Sequence, residues 1–408
     1  MRKINPSDFT LATYKTSREI NRQIALTLIR THQPVSRADL SRLMDTNKAN
    51  ITLLVNELLE DGLICEGAQG NHKVRGRQPT FLYLNSQDRV AIAVDIRASG
   101  SYLMITDFIG NEIGEIVTFP TEPEPETFLL SLCRQIRRAI SEYGDLSNCL
   151  GIGVSVPGIL DRKAGVLINA PTLRWRNVNL LAALESEFDG IDIHLENAGR
   201  ACALSQIWSV LGDGHALHDI VFVSVSDGVG VGVIMNGELV RGQHNIAGEF
   251  AHIPLSIDGP QCSCGARGCW EAYISNPAVL SRYFGNNIND PQSHLNGAAE
   301  FAINDLISRA RTNDSKALLT LNLTARYLGL GLASIINAVD PSRIYINGEL
   351  MEAWDLMEPV VHEVLKERTL IPASDETSIR IVAGIDHPRL RGAAALVTAP
   401  AFAAPKVA

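Results

Sequence analysis

The chain has 408 residues, 46% of them apolar and 20% charged, and a formal net charge of −9. That length exceeds what one hydrophobic core normally serves, and the composition is that of a folded protein, which excludes global disorder. The first twenty residues are polar, and the most apolar later stretches are short and broken by Gly, Asn or Asp, so neither a signal peptide nor a membrane span is expected. Seven cysteines, three in one tight cluster, are not a secreted disulfide framework and point to a reducing cytoplasm. Cys65, Cys133, Cys149 and Cys202 stand alone in apolar contexts and are expected to fill cores.

Charge is unevenly spread. Residues 1–80 carry twelve Lys and Arg against eight Asp and Glu, whereas the remainder carries 24 against 37. A basic head on an acidic body puts any nucleic-acid surface at the N-terminal end.

Three helical segments open the chain. The first spans about Ser17 to Thr31, with Ile20, Ile24, Leu28 and Ile29 as its apolar stripe. Ser36 is placed to cap a second, with Asp39 in its first turn and Leu40 and Leu43 facing inward. After a turn at Met44 to Thr46, with Thr46 as the expected cap, a third helix buries Ile51, Leu54, Val55, Leu58 and Leu59 and stops at Gly62. Strands flanking Gly70 to Gln78 then complete a winged helix-turn-helix. In that motif the third helix enters the major groove, and Asn47, Lys48, Asn50 and Thr52 lie on its early outward part, suited to base edges and phosphates. In the wing, Arg75-Gly76-Arg77 suits the narrow minor groove of an A·T-rich site.

From Arg89 the periodicity changes. Strands are expected at residues 90–96, 102–106, 111–117, 151–156, 191–195, 220–225, 229–235 and 343–346, with helices at 126–143, from Ala198, and at 321–339. The pattern is that of an α/β region with polar residues at strand ends. The last helix, with its small Gly329, Gly331 and Ala333, packs in the core or against a partner.

His252, Cys262, Cys264 and Cys269 are spaced by ten, two and five residues. Three thiolates and an imidazole suit zinc, and four protein ligands with no open position make a structural site. Gly265 and Gly268 permit the tight turn that such spacing needs.

These features together resemble the ROK family, named for repressors, open reading frames and kinases, and within it the repressor branch. The resemblance rests on Arg37-Ala38-Asp39-Leu40, Gly76-Arg77, Ala170-Pro171 with Trp175, Glu196-Asn197, the Gly228, Gly230 and Gly232 run, and Gly248-Glu249 with His252 before the cysteines. It implies a two-lobed actin/hexokinase-like (ribonuclease H-like) body, a sugar or sugar-phosphate effector, and a homodimer or homotetramer on a pseudo-palindromic double-stranded DNA operator. The implied division is a DNA-binding domain over 1–85, a first lobe over 86–210 completed by 381–408, and a second lobe over 211–380 that carries the zinc loop. Asn197, Glu249, His252 and Glu271 match positions that hold sugar hydroxyls. Thr172 departs from the asparagine found in many relatives.

Three features of the family's kinases are missing. The catalytic aspartate that follows Glu-Asn is Ala198, which cannot take a proton. The Asp-x-Gly-Gly-Thr turn reads Asp95-Ile96-Arg97-Ala98-Ser99, and the second phosphate loop reads Ser226-Asp227-Gly228. The sequence therefore reads as a sugar-responsive transcriptional regulator, most simply a repressor, at work in the cytoplasm on the nucleoid. The two alternatives are a sugar kinase with a DNA-binding head and an adaptor governed by a protein partner.

Overall fold

The structure, a computed structural model, describes residues 14–67, 80–85, 89–143, 148–210, 218–285, 302–370 and 377–402. The head comprises α1 (Tyr14–His32), β1 (Val35–Ser36), α2 (Arg37–Leu43), α3 (Lys48–Glu60), β2 (Ile64–Gly67) and β3 (Phe81–Leu84). The three strands form an antiparallel sheet in the order β1-β3-β2. Ser36 caps α2 in a reciprocal capping box with Asp39, as its sequence predicts. The cap of α3 is Asn47 rather than Thr46: the Asn47 side chain accepts from the Asn50 N–H at 2.9 Å.

Two apolar expectations fail in the head. Ile24 and Leu43 are exposed, because α1 turns Ala25, Leu26 and Ile29 inward, and the two-turn α2 fills its core place with Leu40 alone. Arg18 and Arg22 then cross to Glu57 on α3 and to Asp61, its C-terminal cap. The residues between β2 and β3, with Arg75 and Arg77, lie outside the described residues. The head core does not end at the head. Phe108 is part of the same cluster, and Ile109, Leu150 and Phe402 pack on it.

The body contains one topology twice. Its first sheet uses β4 (Val90–Asp95), β5 (Ser101–Asp107), β6 (Glu112–Phe119), β7 (Cys149–Val156) and, later in the chain, β11 (Ile193–Asn197). The strand order is β11-β7-β4-β5-β6: an antiparallel meander of β4, β5 and β6, extended on the free side of β4 by the parallel strands β7 and then β11. The helix α4 (Pro125–Tyr143) precedes β7. A small antiparallel sheet of β8 (Ile159–Asp161), β9 (Val166–Ala170) and β10 (Trp175–Asn179), with α5 (Leu180–Glu185), sits between β7 and β11 and was not foreseen. α6 (Ala198–Val210) leaves the end of β11.

The second sheet repeats the plan with β12 (Ile220–Val225), β13 (Val229–Met235), β14 (Glu238–Leu239), and later β15 (Arg343–Asn347) and β16 (Ser378–Ile381), in the order β14-β13-β12-β15-β16. Between β14 and β15 lie α7 (Glu271–Ile274), α8 (Asn276–Phe284), α9 (Ile303–Arg311) and α10 (Ser315–Val339); α11 (Trp354–Arg368) follows β15. The repeat is the two-lobed actin/hexokinase-like architecture. It explains why polar turns gather at one place: the turn after β4 and the turn after β12 are equivalent points of the two halves.

α10 has the length and apolarity of a membrane-crossing helix, but most of it is buried. A Cβ at Gly329 would meet Val364 of α11, and one at Gly331 would meet the Trp270 ring, so the small residues serve core packing. Of the isolated cysteines, Cys133 and Cys202 are buried and Cys149 is half-buried. Cys65 is exposed, because it points outward from the two-sided strand β2.

α12 (Pro388–Thr398) returns from the C-terminal end to lie on β4, β7 and β11, and it packs along α6. α6 also lies on β12 and β13, so this helix pair joins the two sheets. The contact is close enough to need glycine. A Cβ at Gly392 would meet the Ala201 backbone, and one at Gly230 or Gly232 would meet Gly199. The glycine run in β13 therefore serves helix-on-sheet approach. Gly392→Ala is expected to lower stability by about 1–3 kcal/mol by overpacking this crossing, measured by thermal or denaturant unfolding.

Candidate functional site: an interlobe cleft beside a His/Cys cluster

A cleft of about 310 Å³ opens where the equivalent turns face each other. Arg97, Pro171, Thr172 and Asn197 come to it from the first half of the body, Asp227, Glu249, His252 and Glu271 from the second, and Arg389 from the start of α12. The four residues expected at the sugar, Asn197, Glu249, His252 and Glu271, all line this one space.

Each of them is also held by the protein. The Asn197 carbonyl accepts from the Gly199 N–H at 2.9 Å, which caps α6, and its amide donates to the Gly158 carbonyl at 2.9 Å. Glu271, 8% exposed, does more than start α7. One of its oxygens accepts from the Val229 N–H at 2.9 Å; the other accepts from the Ser263 hydroxyl at 2.7 Å and lies 3.4 Å from Cys262 Sγ. It ties the cysteine loop to the turn after β12.

The cluster has the geometry its spacing promises. Donor atoms of His252, Cys262, Cys264 and Cys269 lie within 4.8 Å of one another. Cys262 Sγ is 3.7 Å from His252 Nδ1, and the Cys264 and Cys269 sulfurs are 3.7 Å apart. A tetrahedral ion with metal–sulfur distances of about 2.3 Å would set edges of roughly 3.6–3.8 Å. The donor set thus fits a metal of the zinc type. Burial pushes the Cys262 thiol up and the Cys269 thiol up to about 11, so deprotonation here calls for a cation. Because Nδ1 faces the cluster, the other ring nitrogen of His252 is left for the cleft.

Behind the cleft floor lies a buried charge network that sequence inspection missed. Glu196, fully buried, accepts from Arg200 Nε at 2.8 Å, from the Asn197 N–H at 3.0 Å, and from Arg241 at 3.0 and 3.1 Å. Arg200, 1% exposed, extends to Glu249 at 4.0 Å, and its Nη2 has no partner among the described residues. The signal available was the Glu196–Arg200 spacing of four at the start of a helix. For Arg241, distant in sequence, there was none.

The positions where a kinase would hold phosphates are filled differently. Arg97 pairs with the buried Asp95 and lies 4.6 Å from the centre of the Tyr102 ring. Arg389, which no motif announced, donates to the hydroxyls of Ser224 and Ser226 at 3.2 and 3.0 Å. Burial, and then the neighbouring Glu349, push the Asp227 carboxyl up. Ala198 lies buried at the start of α6 and offers no proton acceptor.

Far from this cleft, Asn47, Lys48, Asn50 and Thr52 are all exposed on the first turns of α3. Asn47 is committed to the cap, and the Thr52 hydroxyl donates to the Lys48 carbonyl at 2.8 Å.

The sequence pattern of the ROK family matches residues 102–399. The xylose repressor of Bacillus spizizenii is 30% identical over 83% of this chain and 85% of its own. The xylose repressor of Caldicellulosiruptor bescii is 26% identical over 96% of this chain and 98% of its own. A crystal structure of a ROK family transcriptional regulator, a homolog of the E. coli MLC protein, superposes with a TM-score of 0.76 at 23% identity, over 95% of this chain and 97% of that one.

The charge network makes a pH-dependent contribution of definite sign. Burial raises the Glu196 pKa, but Arg200, Arg241 and the hydrogen bonds outweigh it and hold the carboxyl below the ordinary range. A depressed folded-state pKa gives stability that is present above the unfolded value and lost as pH falls through the folded one. Glu196→Gln, which strands two guanidiniums, is expected to cost about 3–5 kcal/mol at neutral pH. Unfolding followed from pH 7 downward should show the gap between variant and wild type closing only below the ordinary glutamate range.

Proposed function

We propose that this chain, which belongs to the ROK family, is a sugar-responsive DNA-binding repressor without kinase activity. The observation that carries the reading is the division within one cleft. The hydroxyl-binding candidates Asn197, Glu249, His252 and Glu271 converge there, while the phosphate side holds an arginine–aspartate pair, a carboxylate and no catalytic base. An asparagine, two carboxylates and an imidazole can read several hydroxyls at fixed geometry. Sugar binding without phosphoryl transfer is a sensor's task. The names of the relatives make xylose the first sugar to try.

In this reading α3 enters the major groove. Lys48 meets phosphate, Asn50 reads a base edge, and Thr52 lies beside them, with Arg75 and Arg77 of the wing in the minor groove. Two heads of a homodimer, or of a pair within a tetramer, engage the half-sites of a pseudo-palindromic operator. Effector binding favours the body arrangement whose heads no longer match that spacing.

The path between sensor and reader is α6. It starts at Ala198 in the cleft, with Asn197 as its cap and Arg200 behind the floor, and at about 1.5 Å per residue runs roughly 20 Å. Near its far end the Arg30 guanidinium of α1 lies 3.7 Å from the centre of the Trp208 ring and donates to the Trp208 carbonyl at 3.1 Å. A shift of α6 driven from the cleft would move the head directly.

In an operator-binding assay, Asn50→Ala should relax sequence discrimination by about 1–3 kcal/mol, and Glu249→Ala should keep basal affinity and lose the response to sugar. The reverse pattern, or turnover of ATP with a hexose or pentose by the wild-type chain, would overturn the assignment.

The metal is zinc in this reading, held by His252, Cys262, Cys264 and Cys269, and its work is to fix the loop that presents His252 and, through Ser263 and Cys262, Glu271. Elemental analysis of the purified chain should give about one zinc per chain. Cys264→Ser, at the most exposed ligand, should lower that content and the affinity for sugar together. A zinc-free chain with full sugar response would remove the metal from the reading.

A further inference from the structure

A second cavity, of about 640 Å³, lies apart from the cleft. Its walls are the turn between β8 and β9, strand β11, and the segment 241–245 that follows β14. That segment is docked on the first lobe, since the Asn245 amide donates to the Leu160 carbonyl at 2.8 Å. The charged and ionisable groups in the walls are Arg162, Lys163, His194, Arg241, His244 and Asp161. Asp161, the only carboxylate there, is turned to its own turn and accepts from the N–H groups of Lys163 and Ala164 at 3.0 and 3.1 Å.

Charge does not balance around this cavity. Glu196, just behind it, is already shared by Arg200 and Arg241, and Glu249 lies toward Arg200 from the other side. Neither the Arg162 nor the Lys163 side chain has a hydrogen bond or ion pair among the described residues, and Arg162 feels Glu196 only from a distance. Loss of water, and then the positive charge of Arg241, lower the Arg162 pKa although the residue reaches the surface. The walls hold three permanent cations, Arg162, Lys163 and Arg241, against the single carboxylate of Asp161, an excess that suits an anion, and a concave wall suits a small molecule better than a macromolecular surface.

We propose that this cavity binds the phosphate group of a small phosphorylated ligand, with Arg162 and Lys163 as its direct contacts and Arg241 beside them. A phosphate monoester dianion offers the charge and three acceptor oxygens for a guanidinium fork and an ammonium. The site is tied to the sugar cleft. Arg241 already gives Nε and Nη2 to Glu196, so an anion drawn to the same guanidinium competes with that pair, and Glu196 in turn holds Arg200, which faces Glu249. Occupancy of the cavity therefore alters sugar affinity, and by linkage sugar alters anion affinity by the same factor.

The test is calorimetric titration of the full chain with inorganic phosphate and with glucose 6-phosphate, each repeated in the presence of xylose. Saturable binding that weakens about tenfold or more in the double variant Arg162→Gln, Lys163→Gln supports the site. Equal affinity for the two probes means that the phosphate alone is read; a tighter ester means that the apolar wall at Ile168 and Leu181 contributes. The single variant Lys163→Gln, on an exposed side chain, should weaken binding in the same direction. Three results would overturn the proposal. These are no binding of either probe by the wild-type chain, unchanged binding of both by the double variant, or binding lost in Arg389→Gln and kept in the double variant, which moves the anion into the cleft. Operator binding plays no part in the measurement, so its failure and that of the repressor reading are separable.

Discussion

Glu196 is fully buried with its charge met by two guanidiniums, and the junction between the two halves of the body depends on that. A buried carboxylate is costly unless its charge is met by well-placed partners. Here one partner, Arg200, stands on α6, and the other, Arg241, comes from the segment after β14 in the second half. To keep the charge satisfied, the end of β11, the first turn of α6 and that segment must stay together. Asn197, the next residue, caps α6 and lines the cleft, so the same constraint sets the cleft wall. Among the described residues the network is not complete: the buried Nη2 of Arg200 has no partner, and Glu249 stands 4.0 Å from Nη1. An incompletely satisfied charge next to a ligand cleft is a place where a ligand's hydroxyls can change the balance.

Glu271 does for the second lobe what Glu196 does for the junction. Its two oxygens bind two different loops, one to the turn after β12 and one to Ser263 in the cysteine loop. Anything that organises the four metal-type ligands therefore organises Glu271, and through it the Asp227-Gly228-Val229 turn. The two walls of the cleft are thus ordered by different means, one by a loop tied through Glu271 to the turn after β12 and the other by the buried charges behind Asn197.

Much of this was legible in the sequence, and what was missed has a common cause. The head was readable because its signals are local: a capping box at Ser36 and Asp39, and an apolar face on α3. The cysteine cluster was readable because all four ligands fall within eighteen residues. The misreading of Ile24 came from a stripe displaced by one position, since Ala25 and Leu26 bury as well as isoleucine does. The duplicated sheet topology was not legible, because the two copies share strand order and not residues. The charge network was not legible because Arg241 lies 45 residues from Glu196, and no spacing rule connects them.

The junction between head and body extends the same logic. Arg30 sits over Trp208, with Phe402 at 5.3 Å and Phe108 at 5.2 Å from their ring partners in one aromatic group. That group gathers α1 of the head, α6, the C-terminal segment after α12 and the turn after β5. It is well packed but not well bonded, since Arg30 Nη1 and Trp208 Nε1 both lack partners among the described residues. Burial lowers the Arg30 pKa against the opposing pull of Asp107. α6 thus runs from the charge network at the cleft to the aromatic group at the head, held along its length by glycine-tight contacts with α12 and β13. A buried donor near each end, on Arg200 and on Trp208, has no partner among the described residues, so a change of partner at one end is felt by the helix that carries both.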